Sequence, residues 1–176
     1  MLKKIVLVLV ALLAAFAIYV ALQPSDYRVE RTVTVDAPAS EVFANVNDFH
    51  KWESWSPWAK IDPNAKIAFE GPEAGEGTVM TWDGNDDVGA GKMTLIESKP
   101  DEAVKIKVEF TRPFEGSTNS DFSFAPNGEQ TDVTWTLSGM HNFVEKAFCL
   151  VMNGLDMMGS DLEKGLSQLK SASERS

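Results

Sequence analysis

Side chains that could carry out catalysis or bind a metal are scarce in this chain. It has one cysteine, Cys149, and two histidines, His50 and His141, which lie far apart and not at a metal-ligand spacing. A general base has to be held within reach of a proton, and nothing nearby in the sequence orients His141. Cys149 has no histidine beside it, so a buried, inert thiol is the simpler interpretation. We therefore predict no catalytic residue, no metal site and no cofactor.

Residues suited to binding an apolar molecule are better represented. The stretch KWESWSPW places Trp52, Trp55 and Trp58 at every third position. Three large rings with indole N–H donors could close the mouth of a pocket. Pro57 disfavours a helical residue before it, so Trp58 need not share the face of the other two. The alternative is that the rings only fill the core, which is the commoner role of buried aromatic residues.

The elements that must position these residues follow from hydrophobic periodicity. A short helix is predicted within APASEVFANVNDF, ahead of the tryptophan segment. Alternation of apolar and polar residues, with turn signals between the runs, predicts seven strands in an antiparallel meander. The strand segments are DYRVERTVTVDAP, KIAFEG, GTVMTWDG, GAGKMTLIESKP, AVKIKVEFTRPF, STNSDFSFAPNG and QTDVTWTLSG.

The last part of the chain predicts a helix that covers the sheet. Apolar residues from Val144 to Leu169 step by three or four, which indicates one stripe of about 25 residues or seven turns. A sheet with one apolar face needs a cover. We therefore expect an α+β fold in which a curved seven-stranded antiparallel sheet wraps around this long C-terminal helix. Gly154, Gly159 and Gly165 would either leave room for a ligand or allow close packing on the sheet.

A meander also predicts which side chains meet at one end of the sheet. Alternate strand ends should bring together Trp82, Arg112, Thr118, Ser120 and Met140. Arg112 has the parity of the inward residues of its strand, so it could bind a carboxylate or phenolate of a ligand. The alternative, which strand ends favour, is an exposed arginine with its head group in water.

The first 24 residues predict a membrane segment. Two lysines precede Ile5–Leu22, an uncharged run whose 18 residues would span about 27 Å as a helix. The lysines should stay in the cytoplasm and send the domain at 26–176 to the periplasmic or extracellular side. A cleaved signal peptide is the alternative, because Ala15-Phe16-Ala17 matches a small-x-small site. Cleavage there would leave a mature protein with the strongly apolar N-terminus IYVALQ, so we favour a single-pass anchor.

Charge excludes one class of partner. The chain has a net charge of −10, and beyond Lys3 and Lys4 it carries 14 basic against 26 acidic residues. A body this acidic is repelled by phosphate backbones. We therefore expect no nucleic-acid partner, and the sequence names no protein partner.

Two stretches carry a resemblance to a known family. They are APASEVFANVNDFHKWESWSPW at 37–58 and STNSDFSFAPNGEQTDVTWTLSG at 117–139. With the order of elements, they resemble the helix-grip fold of the SRPBCC superfamily, which includes START-like and birch pollen allergen-like domains. The similarity is to its bacterial polyketide cyclase/dehydrase-type branch and covers about residues 27–170. A membrane anchor departs from the soluble cyclases of that branch.

The resemblance implies an apolar ligand held between sheet and helix. The residues that we expect to line the pocket are Trp55, Trp58, Trp82, Phe110, Arg112, Phe122, Trp135, Phe148, Met152 and Leu155. Three functions follow: an anchored, non-catalytic binding domain for a small hydrophobic or amphipathic molecule such as a lipid or polyketide; a cyclase/dehydrase-type enzyme using Arg112 or His141; and a structural or interaction domain with a filled core. We favour the first.

Overall fold

The structure is a computed structural model that describes residues 1–175; Ser176, the last residue of the predicted domain, lies outside them. The order of elements is that predicted from the sequence, except that the C-terminal helix is divided in two. The helices are α1 (Leu2–Leu22), α2 (Ala39–Asn47), a short 3₁₀ helix (Phe49–Ser54), α3 (Phe143–Met152) and α4 (Gly154–Ser173). The strands are β1 (Asp26–Val35), β2 (Lys66–Glu70), β3 (Val79–Asp83), β4 (Ala90–Lys99), β5 (Ala103–Arg112), β6 (Gly116–Asn127) and β7 (Gln130–Met140).

The seven strands form one antiparallel sheet, in the order β1-β7-β6-β5-β4-β3-β2. This confirms the predicted α+β helix-grip fold. Every neighbouring pair after β1 is a hairpin, because turn residues between the runs reverse the chain. The first strand closes the order by pairing with the last, with Val29 opposite Leu137.

The strand ends meet as the meander predicts, although Ser120, which was expected there, lies opposite Ile106 in the middle of β5. Asp26 pairs with Met140, Asp83 with Ala90, and Ala90 in turn with Arg112. We call this the α1 end of the sheet, because β1 starts there and only three residues separate it from the end of α1. The opposite, far end carries the tight β6–β7 turn at Gly128, whose φ of 67° suits glycine.

One layer of helices covers the concave face of the sheet. The α4 helix packs mainly on β1, and α2 packs between α4 and strands β5, β6 and β7. The buried stripe of α4 holds Leu162, Leu166 and Leu169, all at most 2% exposed. At about 1.5–3 kcal/mol for each fully buried leucine, this stripe is a major source of the helix–sheet stability.

The predicted single helical stripe is divided into two helices at Asn153. This residue adopts a left-handed conformation, with φ 55° and ψ 43°, which ends α3 before α4 begins. Asparagine is one of the few residues that tolerate this conformation at a helix C-terminus. The break changes the direction of the chain, so α4 covers the sheet while α3 packs against α1 and α4.

The N-terminal segment forms the one helix in the described chain that is long and apolar enough to cross a membrane. Its 21 residues span about 31 Å, close to the thickness of a hydrocarbon core. Only its last turn contacts the domain, where Val20 is fully buried. This length and composition are shared by membrane anchors and signal sequences.

Candidate functional site

An aromatic core fills the space beneath α4. It includes three of the predicted pocket residues, Trp55, Phe122 and Trp135, each at most 1% exposed. The rings of Phe122 and Trp135 stack at a centroid distance of 4.7 Å, and Trp55 meets both edge-to-face at 6.0 and 5.8 Å. Edge-to-face and offset-stacked pairs at these distances are favourable. These three residues therefore contact one another rather than open space.

The tryptophan segment completes the C-terminus of α2. The indole Nε1 of Trp52 donates to the carbonyl of Val46 at 2.9 Å, and that of Trp55 donates to the carbonyl of Asn45 at 3.0 Å. The last carbonyls of a helix have no partner within the helix. Two of the three tryptophans therefore serve as side-chain caps, which explains their spacing by local structure.

Trp58 lies at the margin of this core. It is partly buried, and its ring meets Trp135 edge-to-face at 5.7 Å. The Nε1 of Trp135 donates to the hydroxyl of Ser120 at 2.8 Å, so this buried indole has no free donor to offer a ligand. Trp58 therefore borders both the core and the surface.

A second pair of predicted residues lies near the α1 end of the sheet, where Trp82 is partly buried against the core and Phe110 is exposed. The rings of Trp82 and Phe110 meet edge-to-face at 5.7 Å, and Phe110 is 39% exposed. The indole of Trp82 lies across Gly91, where a Cβ would stand 2.6 Å from the ring, and its Nε1 donates to the Val88 carbonyl. Glycine is therefore required opposite Trp82, and the pair forms a fixed apolar floor at the open end.

Arg112 is exposed and points to neighbouring loop residues. One of its terminal nitrogens lies 3.1 Å from the carboxylate of Asp83 and donates to the carbonyl of Gly84. Exposed ion pairs of this kind contribute about 0–1 kcal/mol. The arginine thus stays available to a ligand anion at the α1 end, but only by giving up Asp83.

The remaining predicted residues lie on α3 and at the start of α4. Phe148, Met152 and Leu155 are 62%, 49% and 45% exposed. Glu145 of α3 lies beside Gly116, which pairs with Phe110 in the sheet. The helix therefore stands next to the uncovered end of the sheet. We call Trp82, Phe110, Phe148, Met152 and Leu155 the open apolar surface.

A cluster of titratable side chains adjoins this surface. The rings of Tyr27 and His141 stack at 4.1 Å, and burial raises the pKa of the tyrosine. Burial lowers the pKa of His141, while the carboxylate of Glu145 acts in the opposite direction. Burial also raises the pKa of the Cys149 thiol, which makes it a poor nucleophile near neutral pH. Stacking alone positions the imidazole, since no ring hydrogen bond to His141 occurs within residues 1–175.

Two long-range polar contacts, the first exposed and the second partly buried, were not predicted. Arg31 lies on the inward face of β1, where it reaches Glu163 of α4 at 2.6 Å, and its guanidinium fits against Gly159. Lys146 is 8% exposed and donates to the carbonyl of Gln23 at 3.0 Å. The position of Arg31 among inward valines was a sequence signal for the contact with Glu163. No local signal in the sequence indicated the contact of Lys146 with Gln23.

A separate depression lies on the surface of the domain. One of about 460 Å³, lined by Asn45, His50, Lys51, Glu53 and Ser54, is wide open to solvent. Within residues 1–175, no group of three or more His, Cys, Asp or Glu side chains is placed to hold a metal ion.

Comparisons with known proteins agree with this architecture. The matching family model, described as polyketide cyclase / dehydrase and lipid transport, covers residues 26–174. No curated protein matches the sequence. The solution structure of the Aha1 dimer from Colwellia psychrerythraea is similar with a TM-score of 0.61 and 16% identity, over 84% of this chain and 96% of that chain.

Other solved structures share the fold at equally low identity. The Zhui aromatase/cyclase from Streptomyces sp. R1128 has a TM-score of 0.56 and 19% identity, over 85% of this chain and 94% of its own. A protein from Arthrobacter aurescens has a TM-score of 0.60 and 16% identity, over 85% and 87%. At this level of identity the likeness establishes the fold only. Since the family model spans nearly the whole domain, the chain belongs to the polyketide cyclase/dehydrase and lipid transport family of the SRPBCC superfamily.

Proposed function

We propose that this protein is a membrane-anchored, extracytoplasmic binding domain for a small hydrophobic or amphipathic ligand, without catalytic activity. The observation that carries the proposal is the open apolar surface, where the large apolar side chains of Phe110, Phe148, Met152 and Leu155 are exposed beside the partly buried Trp82. The family description includes lipid transport, which supports an apolar ligand. The anchor rests on the length and composition of α1.

The aromatic core limits where a ligand can lie. Because Trp55, Phe122 and Trp135 fill the space beneath α4, a guest that entered there would have to displace close-packed rings. The open apolar surface needs no such displacement. We therefore place the ligand between the Trp82–Phe110 pair and α3, with its polar head near Arg112.

The direction of the domain follows from the flanking charge. Lys3 and Lys4 precede α1, and the segment after it begins with Ser25 and Asp26. Positive residues tend to remain in the cytoplasm, which would place residues 26–176 outside it. Carbonate extraction and N-terminal sequencing of the mature protein test the anchor, and protease access in spheroplasts tests the side. Release by carbonate with a new N-terminus would replace the anchor with a signal peptide.

Photocrosslinking tests the ligand site directly. The full chain, reconstituted in phosphatidylcholine bilayers that contain a diazirine fatty acid, should be labelled on β5 and α3 as well as on α1. Phe110→Ser should lose the β5 label. Phe69→Ser is the matched control. Phe69 is also 39% exposed, but it lies on β2, away from β5, and its ring stacks on that of His50. Labelling confined to α1 would leave only contact with bulk lipid, and the binding proposal would fail.

An enzyme of the cyclase/dehydrase type is the second candidate. The stacked, half-buried Tyr27–His141 pair beside the open apolar surface is the observation that favours it. A proton-transfer role would require turnover of a polyketide-like substrate that is lost in His141→Ala with the fold intact. A domain with a filled core and no ligand is the third, and it would be supported by failure of both tests.

A further inference from the structure

The most exposed apolar residues of the domain are gathered around α1. On α3, Val144, Phe148 and Val151 are 67%, 62% and 69% exposed. Phe114, in the β5–β6 turn, and Met140, the last residue of β7, are exposed to a similar extent. The strand register places both of these at the α1 end. We call these five residues the collar.

Both charged side chains of the α3 helix are engaged in hydrogen bonds to the backbone. Its two charged residues are Glu145 and Lys146. Glu145 accepts from the backbone N–H of Asn142 in a capping box, and Lys146 is buried with its ammonium group on the carbonyl of Gln23. The remaining side chains of α3 are apolar apart from Cys149. A helix that is apolar on nearly all sides is typical of a buried or membrane environment rather than a water-exposed surface.

The contact between α1 and α3 fixes the position of the collar. The 21 residues of α1 span about 31 Å, so a membrane that holds them would reach its interface near Gln23. Lys146 binds the carbonyl of that residue at 3.0 Å, and Val20 is buried where α1 contacts α3. A helix tethered at this point cannot move far from the lipid surface.

We infer that α3 and the collar lie in the headgroup region of the bilayer that holds α1, so that the open apolar surface faces the lipid. This inference rests on the proposed anchor. The contact would be driven by apolar burial and not by charge, because the domain is strongly acidic and anionic lipids would repel it. Binding should therefore be at least as strong with zwitterionic phosphatidylcholine as with anionic lipid, and added salt should not weaken it.

Site-specific fluorescence in the full chain tests the inference. In a Cys149→Ser background, Val151→Cys on α3 carries an environment-sensitive label, and the chain is reconstituted in phosphatidylcholine vesicles. Glu129→Cys is the matched control. It is exposed in the turn at the far end of the sheet, about 35–40 Å along β6 from the collar. Ile18→Cys reports on α1 itself.

Lipids with a nitroxide on the acyl chain and aqueous iodide then serve as the two quenchers. We expect the label at 151 to be quenched several-fold more by lipid nitroxide than the label at 129, and several-fold less by iodide. A label at 151 open to iodide, with the label at 18 quenched by lipid, would overturn the inference and leave the anchor standing. Protection of 151 from both quenchers would mean cover by protein, which also overturns it. Loss of lipid quenching at 18 would defeat the anchor itself.

Discussion

Replacing Gly165 by alanine tests whether the space beneath α4 is full. This glycine is buried on the face of α4 that meets the sheet. A Cβ added there would stand 2.5 Å from Cζ3 of Trp135 and 3.1 Å from Cδ of Pro57. Ordinary contacts between carbon atoms are about 3.5–4.0 Å, so the tryptophan ring or the helix would have to move by about 1 Å.

The size of the effect follows from two opposing contributions. Alanine is favoured over glycine in a helix interior by about 1 kcal/mol. Overpacking a well-packed core costs about 1–3 kcal/mol, and the upper part of this range applies because the ring is fixed by Ser120 and by its stack on Phe122. We expect Gly165→Ala to lower the free energy of unfolding by about 1–2 kcal/mol.

Urea unfolding of the full chain in nonionic detergent measures this change, since all five tryptophans lie in the domain and report on its packing. Ser167→Ala is the control, because Ser167 is exposed on the same helix and the change should be neutral or slightly stabilising. Combining Gly165→Ala with Trp135→Phe should lose less than the sum of the single changes. A midpoint of Gly165→Ala at or above that of the parent would show spare volume beneath α4 and refute the assignment of a filled core.

Three further changes test other parts of the structure. Trp55→Phe removes the donor to the carbonyl of Asn45 and leaves it buried, so urea unfolding should show a loss of about 2 kcal/mol. His141 has a lowered pKa, so the fold favours its neutral form. This contribution to stability is present above the ordinary histidine pKa and is lost as pH falls through the folded value; His141→Gln should therefore lose less stability than the parent between neutral and mildly acidic pH. Burial raises the pKa of Asp121, so its carboxylate is disfavoured in the fold; Asp121→Asn should be more stable than the parent at neutral pH, and urea titrations at falling pH should show the gain vanish as Asp121 is protonated.

Much of the sheet could be predicted because its signals are local. The inward residues Val104, Ile106 and Val108 alternate with polar ones, and turn residues separate each run from the next. Since side chains alternate with period two, the same pattern also sets which residues share a face. The meeting of Asp83, Ala90 and Arg112 at one end then follows from the hairpin connections.

The break in the C-terminal helix could not be read from periodicity. The apolar stepping continues across Asn153, because a single left-handed residue changes the direction of a helix without changing the spacing of the sequence. The pair Asn153-Gly154 was a signal of such a turn. The break matters for the candidate site, since it separates the buried Leu162 from the exposed Phe148 and Met152.

Some predicted site residues are buried in the core and others are exposed, and this division depends on the three-dimensional packing. Whether an aromatic residue fills a core or faces a groove depends on which element lies over it. Trp135 lies under Gly165 of α4, whereas Phe110 has no such cover. Both look alike in sequence, as apolar residues at inward positions of long strands. The side-chain contacts of Arg112 likewise depend on the β3–β4 loop, whose conformation no periodicity determines.

The two C-terminal helices, α3 and α4, differ in how closely they can approach the sheet, and this difference links packing to the proposed function. Gly159 and Gly165 give α4 a surface shaped to Arg31 and Trp135, so it closes on the sheet and leaves little space for a guest. The α3 helix, within Phe143–Met152, contains no glycine and presents bulky apolar side chains that meet no sheet surface shaped to receive them. If those side chains are satisfied by lipid, the uncovered end of the domain is also the end nearest a reservoir of apolar molecules. An anchored domain with this arrangement would take up its ligand from the membrane rather than from water, because its most exposed apolar side chains lie at the end of the domain that α1 joins.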